Sequence, residues 1–535
     1  MRRRSLAVLL ALLLAATAPP GAAATAVVSG ETPHDGDPAT GPRIVSVYPN
    51  PPTPGDRGEY VQVHVPPGNW TLSDGESSVT FGGDGGRVVV TGEPDALPNG
   101  TDGRVRESRL ELSNAGERLV LVRGNVSGPA VDSVEYETAP EGERWLRSAD
   151  PNWRPLGYEP REAKAVGAAE ATAFVLPDAP ELPVETIRGA ERRLLLAGYT
   201  FGSERATSAL VAAAERGVRV RVLVDDAPVG GITTRQAELF DRLVRSGVDV
   251  RVLGGEHARF RYHHPKYAVV DDAALVTTEN WKPAGTGGAD SRGWGVRLDS
   301  RPAADELASV FDHDAGWRDA RPWREYSDGE SFTPAEAEDG SYPAEFDPER
   351  VDARNVTVLT APGNAEGGVV EVIDAADDRV DVVQPTVEDG PMLAATRRAA
   401  ERGVEVRLLL SGAWYVNEGN AALAERLNDW ADRTAVPLEV RLADPAGRYG
   451  KVHAKGVVAD DAVVVGSLNW NPTSARENRE VAVVLHGPEP AAYYRRVFEA
   501  DWRAGTGGPP RGLLLAGVGA AAGTVLYARR RIEFA

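Results

Sequence analysis

The sequence predicts an α/β fold built twice over, preceded by a small all-β domain. Three observations carry that prediction. From Arg43 to about Tyr136, short runs rich in β-branched residues alternate with Gly, Pro, Asn and Asp, and no helical period appears. Beyond about residue 170, strand-like runs alternate with amphipathic helical stretches, the pattern of layered α/β architecture. The chain also repeats itself. Ala214-Glu215-Arg216-Gly217-Val218-Arg219-Val220 returns as Ala400-Glu401-Arg402-Gly403-Val404-Glu405-Val406. At 535 residues the chain exceeds what one core supports, so two to four domains are expected.

The elements follow in order. Met1-Arg2-Arg3-Arg4, the apolar run Leu6 to Ala18 and the small residues Gly21 to Ala26 read as a secretory signal over 1–26. A flexible Gly, Pro, Asp and Thr leader follows at 27–41. The segment 42–137 reads as a β-sandwich, with strands at Ile44 to Tyr48, Tyr60 to Val65, Arg87 to Val90 and Arg118 to Val122. Its phrases Tyr48-Pro49-Asn50, Gly58-Glu59-Tyr60-Val61, Trp70-Thr71-Leu72-Ser73-Asp74 and Val131-Asp132-Ser133-Val134 resemble the lamin-tail domain. That resemblance implies an immunoglobulin-like sandwich acting as an accessory module, one that binds a cell surface or a protein. A linker rich in Pro, Arg and Glu is expected from 137 to 170.

The repeats are expected at 171–320 and 351–504, joined by an acidic, Pro-rich linker at 321–350. Each opens on a core strand (Arg193 to Ala197; Arg379 to Val383), then a helix closed by Gly217 or Gly403 and a second strand. A second helix follows, Thr233 to Ser246 or Asn420 to Asp432. A last helix ends at Phe311, Asp314 and Trp317 or at Phe498, Asp501 and Trp502. After the Gly-Pro-rich stretch Gly505 to Pro510, the uncharged run Gly512 to Ala528 precedes Arg529-Arg530-Arg531. It reads as a short transmembrane anchor over 512–528 with a cytoplasmic C-terminus, the bulk of the chain lying outside the cell. The sequons at Asn69, Asn99, Asn125 and Asn355 suit an exported chain.

The net charge is −20, and only five of the 59 basic residues are lysines (164, 266, 282, 451 and 455). An acidic, Lys-poor chain reads as a halophile's protein. In molar salt the Debye length is about 3 Å, so the global charge does little to repel an anionic substrate. The absence of cysteine excludes disulfides, thiolate metal sites and a Cys nucleophile. The remaining histidines are dispersed, so neither a metal nor a cofactor is assigned.

Chemistry concentrates at a duplicated motif. His264-Pro265-Lys266 is followed four residues later by Asp271, and His453-Ala454-Lys455 by Asp460. Each runs on at the same interval to an Asn-Trp pair, in Thr277-Thr278-Glu279-Asn280-Trp281 and Gly466-Ser467-Leu468-Asn469-Trp470. In extended chain a spacing of two puts His and Lys on one face, and the returning strand delivers Asn280 or Asn469 beside them. Two copies meeting at a pseudo-twofold axis offer a nucleophile and a general acid on opposite sides of one phosphate. The lysines and asparagines hold its oxygens. Two of the five lysines fall at these positions although arginine serves elsewhere, so the site calls for a compact ammonium. His263 points to the opposite face and reads as structural.

These residues resemble the phospholipase D superfamily, whose signature is His-x-Lys-x4-Asp followed by Gly-Ser-x-Asn. The resemblance covers about 171–504 and implies a duplicated α/β/α fold. His453, Lys455, Asp460, Ser467 and Asn469 match fully, and Glu480 falls where the family has a carboxylate that hydrogen-bonds an active-site histidine. The first copy matches at His264, Lys266, Asp271 and Asn280. It has Thr277-Thr278 in place of Gly-Ser and Trp294 where a counterpart of Glu480 is expected, with Asp290 a nearby alternative. The resemblance implies metal-free phosphodiester cleavage through a phosphohistidine, with His264 as nucleophile and His453 as acid and base. The motif aspartates take orienting roles. The substrate is a phospholipid, favoured by the tether, or a nucleic acid; a non-catalytic adhesion protein is the reading from another class. No oligomer is required, since one chain holds both half-sites.

Overall fold

A computed structural model describes residues 41–108, 110–147, 152–334 and 340–504. The expected signal and the C-terminal apolar run lie outside these residues. Among the described residues no helix is long and apolar enough to cross a membrane. The chain divides into two units, one ending at Tyr158 and one beginning at Glu159.

The first unit is all β. A six-stranded and a four-stranded sheet share one core, with Val61, Val63, Val88 and Val90 from the first meeting Trp70, Leu72, Leu119 and Leu121 from the second. Period-two alternation puts these residues on facing sides. The sandwich runs further than 137. Glu143–Leu146 pairs with the first strand, Arg43–Tyr48, and Asn152–Pro155 pairs with it in turn, burying Trp145 and Trp153. Four-residue strands among Pro, Arg and Glu are too short to show alternation, so this part looked like linker.

The second unit is built on one sheet of fifteen strands. In its first half Arg193–Gly198, Arg219–Asp225 and Asp249–Leu253 run parallel. Helices Glu204–Glu215 and Thr234–Arg245 connect them. Gly217 takes φ +89, and Val218 N–H then reaches back to the Ala213 carbonyl; Gly403, Val404 and Ala399 repeat the device. Thr233 and Gln236 form a capping box at the second helix. Leu194, Leu196, Val220 and Val222 face these helices. The intervening Leu195, Leu223 and Val269 are equally buried on the other face. Helix Arg301–Ala315 lies there, where the Tyr267 hydroxyl donates to the Leu307 carbonyl at 3.3 Å. A sheet covered on both sides explains why its strands read as continuous apolar runs.

The second half repeats this plan with Arg379–Gln384, Glu405–Leu410 and Leu438–Leu442. The halves join through two thirteen-residue strands, Lys164–Leu176 and Glu349–Ala361, paired antiparallel. Lys164 sits opposite Val358 and Ala173 opposite Glu349. That reciprocal register is an approximate twofold axis through the middle of the sheet. Both strands begin inside segments expected to be linkers. The start of the second linker also belongs to the first half, since Trp323 is buried against Phe240. Gly285-Thr286-Gly287 forms one helical turn over Pro283–Gly287, with the Thr286 hydroxyl bonded to Ser203.

Candidate active site

The twofold axis brings the two His-Lys segments together, and each is stitched to the opposite half. His264 N–H donates to the Arg479 carbonyl at 3.0 Å, and Arg479 N–H donates to Tyr262. In reciprocal fashion His453 and Ala454 donate to the Arg292 carbonyl, and Arg292 N–H donates to Lys451. Arg479 and Arg292 are themselves buried. Arg479 pairs with Asp314 at 2.9 Å, and Arg292 lies 3.1 Å from Asp501 and against Asp178. The helix-ending aspartates seen in the sequence thus anchor the arginine of the other half.

At the first half-site, His264 Nδ1 lies 2.8 Å and 3.0 Å from the two oxygens of Glu480. Both side chains are buried, and the edge of the Tyr199 ring packs on the imidazole at 4.7 Å. The carboxylate is fixed in turn by the Ser474 hydroxyl at 2.5 Å and the Asn478 amide at 3.2 Å. Burial pushes the Glu480 carboxyl up, but His264 and Lys266 outweigh that and hold it below its usual value. An ionised Glu480 accepts a hydrogen bond from Nδ1–H, which fixes the tautomer and leaves the Nε2 lone pair free. Burial lowers the His264 imidazole to about 3, against the opposing pull of Glu480.

At the second half-site the partner of His453 is Glu279. Nδ1 and Oε1 stand 3.3 Å apart, and neither atom has a hydrogen-bond partner, so each faces the other as an unsatisfied polar atom. Glu279 is 3% exposed; burial pushes its carboxyl up, but His453 and Lys455 hold it below its usual value. Burial lowers His453 to about 4. The expectation for the first half therefore needs correcting. Asp290 pairs with Lys451 at 2.8 Å instead of a histidine. Trp294 does not hold the position equivalent to Glu480. Glu480 opens its strand opposite Ala361, and the residue in that place in the first half, opposite Leu176, is Gly293. Trp294 matches Val481 and packs on Tyr494. The loop from Asn280 to Gly293 is two residues longer than that from Asn469 to Glu480, so strand register and not distance along the chain gives the match.

Lys266 Nζ donates to the His264 carbonyl at 2.7 Å and Lys455 Nζ to the His453 carbonyl at 2.8 Å. Each ammonium keeps two further N–H bonds for a ligand. The half-sites share one field, since Lys455 bears on His264 and Lys266 on His453. Burial lowers Lys266 well below its usual value and Lys455 to about 8. Asn280 presents a buried Oδ1 without a hydrogen-bond partner, and Asn469 is buried beside Ser474. Thr278 replaces Ser467 faithfully. Each hydroxyl accepts a backbone N–H, from Trp294 at 3.0 Å or Val481 at 3.1 Å.

Asp271 and Asp460 stand apart from this cluster. They sit in the turn at the far end of the strands Tyr267–Val270 and Gly456–Ala459, at φ +54 and +45. Asp271 accepts the backbone N–H groups of Glu191, Arg192 and Arg193, and Asp460 those of Asp377, Asp378 and Arg379. They pin the loop before each first parallel strand. Asp271→Ala and Asp460→Ala are each expected to cost about 1–2 kcal/mol in urea denaturation, and the Asn variants less, since Asn keeps an acceptor and tolerates positive φ. Among the described residues no group of His, Cys, Asp and Glu is arranged to hold a metal ion. His263 is fully buried near Asp314, 3.8 Å from its carboxylate.

Comparison with known proteins follows the same division. The family described as cardiolipin synthase, PLD-like domain, matches residues 184–315 and 369–502, once on each half. Cardiolipin synthase A of Pseudomonas aeruginosa (strain LESB58) is 35% identical over 138 residues, 25% of this chain and 26% of that protein. The chain thus spans about a quarter of that relative's length. Cardiolipin synthase B of Salmonella typhi is 26% identical over 322 residues, 56% of this chain and 72% of that protein. Among solved structures, phosphatidylserine synthase of Haemophilus influenzae Rd KW20 is similar at 15% identity and a TM-score of 0.48, covering 62% of this chain and 86% of that one. One such PLD-like domain falls on each half of the duplicated sheet, and the two matches support the phospholipase D superfamily for this unit.

Proposed function

We propose that the second unit is a phosphodiesterase acting on a phospholipid through a covalent phosphohistidine. The observation that carries this reading is the convergence of two carboxylate-backed histidines, His264 buried and His453 partly exposed, and two buried lysines at one twofold axis. His264 Nε2 attacks phosphorus and the bond from phosphorus to the leaving oxygen breaks. His453, protonated in the bound complex, gives that oxygen its proton. Water or an alcohol then loses its proton to His453, its oxygen attacks phosphorus, and the bond to His264 breaks. With the site empty, burial keeps both imidazoles neutral at pH 7. A bound phosphodiester anion raises the affinity of His453 for a proton and so charges the acid only when substrate is present.

The phospholipid preference rests on the names of the relatives, cardiolipin synthases A and B. In this reading the chain is exported, held to the membrane through 512–528, and carries its lamin-tail-like sandwich as a positioning module. The test offers the full chain, in high salt, phospholipid vesicles, single- and double-stranded DNA, and bis-p-nitrophenyl phosphate, with and without chelator. Turnover of vesicles in preference to DNA is expected, unaffected by chelator. Turnover of DNA alone would make it a nuclease, and turnover of nothing would end the catalytic reading.

Alkaline pH provides a further check. Lys455 titrates at about 8 because of its burial, so its charge is present below that pH and lost above it. KM for an anionic phosphodiester is expected to climb through this range. A KM that stays flat from about pH 7 to about 9 would remove Lys455 from the phosphate cradle.

A further inference from the structure

The two half-sites hold their carboxylates at different places in the sequence, and the difference is a matched exchange. Glu480 follows the buried Arg479 and opens the strand Glu480–His486. Gly293 follows the buried Arg292 and opens the strand Gly293–Asp299. Gly293 does not adopt positive φ, so its backbone does not call for glycine. A Cβ there would stand 2.4 Å from Cγ of Glu279 and 2.8 Å from its Oε1. The space that a side chain at 293 would use is thus filled by Glu279. In the second half the residue matching Glu279 is Leu468, 4% exposed in the apolar core.

We propose that Glu279 is the positioning residue for His453, and that the missing side chain at Gly293 is what admits it. Glu279 does for His453 what Glu480 does for His264, from a loop position fourteen residues before Gly293, the counterpart of Glu480. Its Oε1 faces His453 Nδ1 at 3.3 Å, and both atoms are without a hydrogen-bond partner. Of the charged groups that bear most on His453, Lys455 and Lys266 disfavour the imidazolium and Glu279 favours it. The contact is longer than that at His264, and the His453 side chain is 24% exposed against 3%. That looser hold suits a ring that must meet a leaving oxygen and then water. The assignment of proton transfer to His453 rests on the reading proposed above.

The test uses the full chain labelled at histidine 13Cε1, with the His453 resonance identified by its loss in His453→Asn. In Glu279→Gln the midpoint of the His453 titration is expected to fall by about one unit or more, since a nearby anion no longer favours the charged ring. On bis-p-nitrophenyl phosphate the same variant is expected to lose about 10–100-fold in kcat with little change in KM, the usual cost of removing such support. Gly293→Glu alone is expected to be no better than Glu279→Leu alone, because the two side chains collide. The double variant Glu279→Leu/Gly293→Glu is expected to regain at least about tenfold over either single, by restoring the arrangement seen at Glu480. An unchanged His453 titration in Glu279→Gln overturns the proposal. So does a double variant no more active than the better single. If Gly293→Glu does not fold, the titration decides alone. If the wild type cleaves no phosphodiester while Glu279→Gln still shifts His453, the proposed function fails and the pairing of Glu279 with His453 stands.

Discussion

His264→Ala is expected to lower kcat/KM for the proposed phosphodiester cleavage by about 10⁴-fold or more, the scale seen when a covalent nucleophile is removed. No neighbour substitutes for it, since the imidazole is walled by Tyr199 and its carboxylate is held by Ser474 and Asn478. His453→Ala should behave differently. A p-nitrophenolate leaving group needs no proton, so the first bond still breaks, but no base activates water for the second step. One equivalent of p-nitrophenolate per chain is expected as a burst, with the phosphoryl group left on His264. Intact-mass and 31P measurements after rapid quenching read that adduct. An adduct on His453 in His264→Ala would exchange the two roles. No adduct in either variant, with turnover retained, would sink covalent catalysis.

Arg479→Met is expected to destabilise the second unit by about 3–5 kcal/mol, the cost of leaving a buried charge without its partner. The Arg479 and Asp314 side chains are fully buried. The guanidinium bonds Asp314 through Nε at 3.1 Å and Nη2 at 2.9 Å, reaches the Ala361 carbonyl, and packs on Phe260. It ties the second half to the last helix of the first while its carbonyl holds His264. Arg479→Lys should lose most of the same energy, because a point ammonium cannot make the paired contact. Arg479→Met with Asp314→Leu should recover more than half of it, since no lone charge remains. The loss should be insensitive to salt, unlike that of a surface pair. Urea unfolding followed by the second unit's transition reads all three. A midpoint unchanged in Arg479→Met would show that the pair does not hold the halves together.

Much of this molecule can be read directly from its residues. Apolar periodicity shows the parallel strands and their helices, because burial on both faces demands unbroken runs such as Leu194-Leu195-Leu196. Gly217 and Gly403 mark helix ends because only φ near +90 closes those turns without strain. The spacing of His264 with Lys266, and of His453 with Lys455, announces a shared site because duplication of reactive residue types has no packing reason. The short strands Glu143–Leu146 and Asn152–Pro155 and the joining strands Lys164–Leu176 and Glu349–Ala361 were not legible. Their pairing partners are distant in the chain, and their own composition is that of linkers.

The sequence by itself picked out the groups that the structure gathers at the candidate site: two histidines, two lysines, the asparagines, and Glu480 as the carboxylate of one histidine. Only the tertiary structure decided which carboxylate serves which histidine. Glu480 crosses to His264 and Glu279 to His453, because antiparallel pairing about the twofold axis places each half's strand end beside the other half's motif. Motif matching compares positions along the chain. It could not see that removing a Cβ at Gly293 opens a space which Glu279 fills through the sheet, since that complementarity exists only once the strands are in register.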